Sequence, residues 1–149
     1  MNARDQFHVG IVVPSITSAK KELTELFGYV WGEEVSARTR VEFPSGTSEI
    51  DLTLVYSATT PRLELVQRVP DTVWEPAIGS GVHHIGFWSD DVAGDAAKLE
   101  AARFEFEASG VDPDGNALWS YHRSSSGPRI ELVTRLLEPM LEALWAASA

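Results

Sequence analysis

The chain writes nearly the same hexapeptide twice, "PRLELV" at residues 61–66 and "PRIELV" at residues 128–133. A second pair, "FHVGIVVPS" at 7–15 and "HHIGFWSDD" at 83–91, shares the order His, aliphatic, Gly, apolar, followed by a helix-capping residue. Two anchors repeated in the same order mean two copies of one structural unit. Any fold proposed for this sequence has to be built from two like halves.

Between the anchors each half reads the same way. In the first, Ser15 or Thr17 caps a helix running to about Phe27, with Ala19, Leu23, Leu26 and Phe27 on one stripe and Gly28 ending it. In the second, Asp90 or Asp91 caps a shorter helix through Leu99 to about Ala102. Extended stretches follow each helix: "WGEEVSARTRVEF", "IDLTLVYS" and "RLELVQ", then "FEFEAS", "ALWSYHR" and "RIELVTR". Each half is therefore β-α-β-β-β, and the expected class is α+β. The expected layout of the single domain, 1–149, is module one at about 5–68, a Pro, Gly and Ser-rich connector at 69–82, module two at about 83–135, and a C-terminal helix at about 137–147. Leu137, Leu141, Leu144 and Trp145 lie near one face of that helix, which is expected to pack on its own domain.

Side chains alternate between the faces of a strand, which makes the repeat informative about chemistry. In the first strand Phe7, Val9, Ile11 and Val13 form an apolar face for the helix, so His8, Gly10 and Val12 point the other way. In "HHIGFW" the same parity puts Ile85 and Phe87 under the helix and His84, Gly86 and Trp88 opposite. The hexapeptides send Leu63 and Leu65 one way and Arg62, Glu64 and Val66 the other, then Ile130 and Leu132 against Arg129, Glu131 and Val133. Each half thus presents one His and one Glu on its non-helix face, with a Gly two positions beyond each His leaving room beside the imidazole. If the sheets curve towards each other, four ligand-type side chains converge. Two imidazoles and two carboxylates suit one divalent ion of the Zn, Ni, Co, Mn or Fe type.

Composition narrows the alternatives. The chain has 149 residues, 44% hydrophobic and 23% charged, enough for one full-sized core. Its net charge of -10, with twelve scattered Lys and Arg, disfavours a nucleic-acid or anionic-membrane surface and favours a small-molecule substrate. Without Cys, disulfides, thiolate nucleophiles and Cys-ligated zinc are excluded. No apolar run is long enough to span a membrane, and "MNARDQFHVGIVV" does not read as a signal peptide, so a soluble, cytoplasmic protein is expected. "GSGVHHIG" is no dinucleotide loop, because its glycines precede a strand, and neither Ser80 nor "SSS" at 124–126 sits in a nucleophile elbow.

With these motifs in view, residues 7–134 resemble the vicinal oxygen chelate superfamily, which includes glyoxalase I, methylmalonyl-CoA epimerase, extradiol dioxygenases and fosfomycin and bleomycin resistance proteins. The resemblance implies paired βαβββ modules forming a cupped mixed sheet around one metal, with His8, Glu64, His84 and Glu131 as ligands. The His-Glu-His-Glu order is similar to glyoxalase I; methylmalonyl-CoA epimerases usually carry Gln at the second position, and the dioxygenases use two His and one Glu in a chain about twice as long. The implied chemistry is that of an isomerase, epimerase or lyase, with proton abstraction next to a carbonyl and metal stabilisation of an enediolate. Glu131 is the leading candidate for the base and Glu49, just before the third strand, the runner-up. A homodimer is implied, with exchange of modules between subunits left open. A drug- or metabolite-binding resistance protein and an Fe(II)-dependent oxygenase are the alternative functions. The scarcity of clustered basic residues favours a free metabolite over a glutathione or coenzyme A adduct.

Other residues carry weaker expectations. His122 is a possible proton shuttle or a structural His, Tyr56 and Tyr121 line the pocket or pack across strands, and His83 is expected to be structural or exposed. Arg62 and Arg129, on the faces of Glu64 and Glu131, could meet a substrate carboxylate, but are rather expected to balance the acidic site. Trp88 shares His84's face and could floor an apolar pocket.

Overall fold

A computed structural model describes residues 1–146. The elements follow the repeat: β1 (Gln6–Val13), α1 (Ile16–Phe27), β2 (Val35–Phe43), β3 (Gly46–Tyr56) and β4 (Leu63–Gln67), then β5 (His84–Ser89), α2 (Val92–Ala101), β6 (Glu105–Val111), β7 (Ala117–Arg123) and β8 (Arg129–Thr134). A 3-10 turn, Arg135–Leu137, leads into α3 (Glu138–Ala146). Residue 147, the expected end of that helix, lies outside the described residues.

Both helices start where polar side chains can hold their free N–H groups. Ser15 accepts from the Ser18 N–H and Asp91 from the Gly94 N–H. The first helix buries a narrower stripe than its sequence suggests. Ile16, Ala19 and Leu23 pack with Ile11, Val13, Val55 and Leu65, whereas Leu26 and Phe27 are 65% and 70% exposed. The second helix packs through Val92, Ala96 and Leu99 on Ile130 and Leu132.

Within each half the strand pairing is identical. β1 runs parallel to β4, which pairs antiparallel with β3, which pairs antiparallel with β2; β5, β8, β7 and β6 repeat the pattern. The halves meet twice, through antiparallel β1–β5 and β2–β6, so the mixed sheet closes into a barrel of order β1-β4-β3-β2-β6-β7-β8-β5. The expected cup is a complete ring. α1 and α2 cover its outside, and its interior holds Val12, Val41, Leu52, Val66, Trp74, Ala108 and Tyr121. Trp74 comes from the connector, and Val69 and Val73 pack against this interior with it. α3 packs on the barrel through Leu141, buried with Tyr56, Trp88 and Val133, with Leu137, Leu144 and Trp145 around them.

A register shift between Gln6 and His8 alters one sequence expectation. Phe7 leaves the face of Val9 and Ile11 and stacks on Trp88, with ring centroids 3.8 Å apart.

Candidate metal centre

The four strands β4, β1, β5 and β8 are consecutive around the barrel, and each carries one of the ligand-type side chains on its inner face. The register places them in two matched rows. Glu64 lies beside Gly10, which lies beside His84; Glu131 lies beside Gly86, which lies beside His8. Each imidazole therefore folds over the glycine of the other half. A Cβ on Gly10 would stand 1.9 Å from His84 Cε1, and one on Gly86 would stand 1.9 Å from His8 Cε1. The glycines provide the space in which the two halves' histidines cross.

His8, Glu64, His84 and Glu131 are all buried, and one donor atom of each lies within 4.8 Å of the others. The Nε2 atoms of His8 and His84 are 2.9 Å apart. Glu131 Oε2 is 3.0 Å from His8 Nε2 and 3.3 Å from His84 Nε2, while Glu64 Oε2 is 3.0 Å from His84 Nε2 and 3.6 Å from His8 Nε2. Bonds of about 2.0–2.2 Å to a transition metal give donor-to-donor edges of about 3.0–3.5 Å, so the spacing fits a single small ion.

Charge balance leads to the same fit. Two nitrogens facing each other can share at most one proton, and neither Glu64 Oε2 nor Glu131 Oε2 has a satisfactory hydrogen-bond partner despite complete burial. Buried carboxylates without partners are costly, and one divalent cation neutralises both. In its absence a proton takes up part of that role. Burial alone would depress His84, but the charges of Glu131 and Glu64 raise it to about 9. Burial would likewise raise Glu131, yet His84 and His8 hold it well below the usual carboxylate range.

The barrel interior next to these residues is a cavity of about 160 Å³. Leu52, Leu54, Val66, Trp74, Trp119 and Val133 line it, with Leu137, Met140, Leu141 and Leu144 closing it from the α3 side. Glu64 and Glu131 are the charged groups in that lining, and Tyr56 and Tyr121 the phenols. Both phenols stay protonated: burial, then the two carboxylates, push them well above the ordinary tyrosine value. Tyr56 is the cross-strand neighbour of Glu64, and the Tyr121 oxygen accepts from Trp74 Nε1 at 3.3 Å.

Glu49, Arg129 and Arg62 depart from what the sequence leads one to expect. Glu49 is exposed on the outer face of β3, opposite Arg40 on β2, because strand parity turns Leu52, Leu54 and Tyr56 inwards and Glu49 out. Arg129 does not balance Glu131; it is buried in a two-point pair with Glu107 and donates to the His83 carbonyl. Arg62 donates to the Ser57 carbonyl and lies over the Trp145 ring. His122 is fully buried but on the α2 side, beside Ser120 and within 3.3 Å of Glu100. Of the two expectations for His83, structural or exposed, the structure shows a buried ring, with Nδ1 2.9 Å from His84 Nδ1. Its basicity drops to about 3, chiefly through burial and then through the neighbouring His84 and Arg129 charges. Neither His83 nor Trp74 has a counterpart in the other half, so the repeat could not point to them. The doubled His at 83–84 was the available signal.

Comparison with known proteins gives the chain its place. No curated protein matches it in sequence. Among solved structures it is similar to a variant of Streptomyces coelicolor methylmalonyl-CoA epimerase in complex with 2-nitronate-propionyl-CoA, with 19% identity and a TM-score of 0.59 over 87% of this chain and 96% of that one. It is also similar to a mutant of 4-hydroxymandelate synthase from Streptomyces coelicolor, with 20% identity and a TM-score of 0.57 over 89% of this chain but 39% of that one. The methylmalonyl-CoA epimerase of Mycobacterium tuberculosis aligns over 87% of both chains with 14% identity and a TM-score of 0.54. At these identities the likeness is one of fold. Residues 7–122, well over half the chain, match the family described as the Glyoxalase/Bleomycin resistance protein/Dioxygenase superfamily, and with the paired βαβββ barrel around His8, Glu64, His84 and Glu131 the chain belongs to that superfamily.

Proposed function

We propose that the protein is a metal-dependent isomerase, epimerase or lyase that removes a proton from the carbon next to a carbonyl of a small substrate. The observation carrying this reading is the buried cluster itself: two carboxylates and two imidazoles meet with unpartnered oxygens beside a largely apolar pocket. His8, Glu64, His84 and Glu131 would hold one divalent ion. When bound, it supplies Lewis-acid stabilisation of charge on two neighbouring substrate oxygens. The chain's own residues do the remainder. Glu131 takes the α-proton: it is one of the two carboxylates in the cavity lining, and its Oε2 is buried without a satisfactory hydrogen-bond partner. The same carboxyl group then returns the proton, to either face of the carbon or to its neighbour, or a leaving group departs. Tyr56 and Tyr121 donate hydrogen bonds to substrate oxygen, and the apolar wall excludes water. The cavity favours a compact, uncharged body: its lining holds no Lys or Arg to pair with a phosphate or a further carboxylate.

The test begins with elemental analysis of protein purified without a His-tag or added metal, comparing wild type with His8→Ala and Glu131→Ala. Near one transition metal per chain, lost in both variants, is expected. Proton-deuteron exchange on acetoin and 2-hydroxyacetophenone, followed by NMR, should then vanish with EDTA, return with one divalent ion, and fall by about 100-fold or more in Glu131→Gln. Wild type that refuses Zn, Ni, Co, Mn and Fe would overturn the proposal in favour of a binding protein.

A further inference from the structure

The two halves differ at one position that touches the site. Where the first half writes Phe7 before its histidine, the second writes His83. Phe7 spends its ring on Trp88, whereas His83 folds back beside His84. His83 Nε2 lies 2.7 Å from the Val73 carbonyl oxygen, and the Nδ1 atoms of His83 and His84 lie 2.9 Å apart. A carbonyl only accepts, so His83 Nε2 carries hydrogen. A neutral imidazole has a single N–H, so His83 Nδ1 is bare, and the proton in the 2.9 Å contact belongs to His84 Nδ1. His84 Nε2 is thereby left to face the cluster, 3.0 Å from Glu64 Oε2. The reverse assignment would need an imidazolium at His83, buried beside the Arg129 guanidinium that donates to His83's own carbonyl at 3.2 Å. It would also deprive His84 of its Nδ1 proton.

We infer that His83 is a positioning residue: braced by the Val73 carbonyl of the connector, it fixes His84 in the tautomer and ring plane that turn Nε2 to a divalent ion. The inference rests on the metal-site reading above. His83 is not part of the cavity lining beside the carboxylates; it faces a groove it shares with Val73, Glu107 and Arg129. His8 has no such brace, since its Nδ1 is buried without a partner. The two histidine ligands are therefore unequal, with the ring plane of His84 set in advance of the ion and His8 free to adjust. The connector's path past Val73 gains a purpose beyond joining the modules, because it supplies the fixed end of the chain of hydrogen bonds.

Imidazole nitrogen NMR of the metal-free wild type reads the brace directly. Near neutral pH His83 should be a neutral ring protonated on Nε2. Zinc affinity, measured with zinc chloride against a competing chelator, should fall by about 10- to 100-fold in His83→Leu, the range for losing a partner behind a metal-bound histidine. It should remain close to wild type in His83→Asn, whose amide oxygen can take the place of Nδ1 as acceptor. A proton on His83 Nδ1 overturns the inference, as does a folded His83→Leu that binds zinc like wild type, or a His83→Asn as weak as His83→Leu. If His83→Leu fails to fold, the wild-type spectrum and His83→Asn still decide. Failure of the metal reading has its own signature, since wild type would then bind no zinc while its His83 tautomer stayed as described.

Discussion

Gly10 and Gly86 do at residue scale what the two halves do at large: each yields its side-chain volume to the histidine of the other module. The backbone there is ordinary strand, so the requirement is steric. The atom that a Cβ would meet, an imidazole carbon 1.9 Å away, lies far inside contact distance, so the ring has to withdraw from the cluster. Gly86→Ala should push His8 off the cluster, cost about 1–3 kcal/mol as an overpacked core does, and weaken zinc binding by at least about tenfold. Zinc titration together with urea unfolding would check both parts. Wild-type affinity in Gly86→Ala would mean that His8 is not held over that glycine.

At the scale of elements, α2 is tied to β5 by one buried acid. Asp95, in the first turn of the helix, accepts from Ser89 Oγ at 2.8 Å and pairs with Lys98 at 2.7 Å. Burial works to raise its pKa, but Lys98 and Ser89 prevail and the carboxyl group ends below its ordinary value. A folded pKa below the unfolded one means that the stabilisation is present above the unfolded value, about 3.9, and is lost as pH falls through the folded one. Asp95→Asn should therefore lose less stability than wild type when urea midpoints are compared across the acid range below about pH 4. Equal losses would mean that another acid governs the slope. Elements of this kind were the legible part of the sequence. Caps at Ser15 and Asp91, strand parity and the twin hexapeptides all express local periodicity, and they placed the four inward-facing residues on the correct face of the correct strands. What local pattern could not convey was set by neighbours distant in the chain. Leu26 and Phe27 stay exposed where the rest of the α1 stripe is packed, Arg129 finds Glu107 on another strand, and Trp74 and α3 pack against residues from both halves.

For the whole molecule, the decisive fact is that the ring closes through β1–β5, with one His and one Glu coming from each half. An ion bound there would join the modules at the seam where they meet. The unfolded chain holds the same four residues far apart in sequence and cannot gather them, so binding should stabilise the folded state through linkage. Zinc at a hundred times its dissociation constant should add about 2.7 kcal/mol, which for a chain of this length is a rise in Tm of about 5–10 °C, reversed by EDTA. The location of the site at the seam makes a sharper demand. His8→Ala and Glu64→Ala, in the first half, should abolish the zinc-dependent rise as completely as His84→Ala and Glu131→Ala in the second, because no pair from one module completes the donor set. Calorimetric scans of the four variants with and without zinc would read this out. A rise that survived loss of either first-half ligand would place the ion within the second module alone, and the physical reason for repeating the hexapeptide would have to be sought in packing instead.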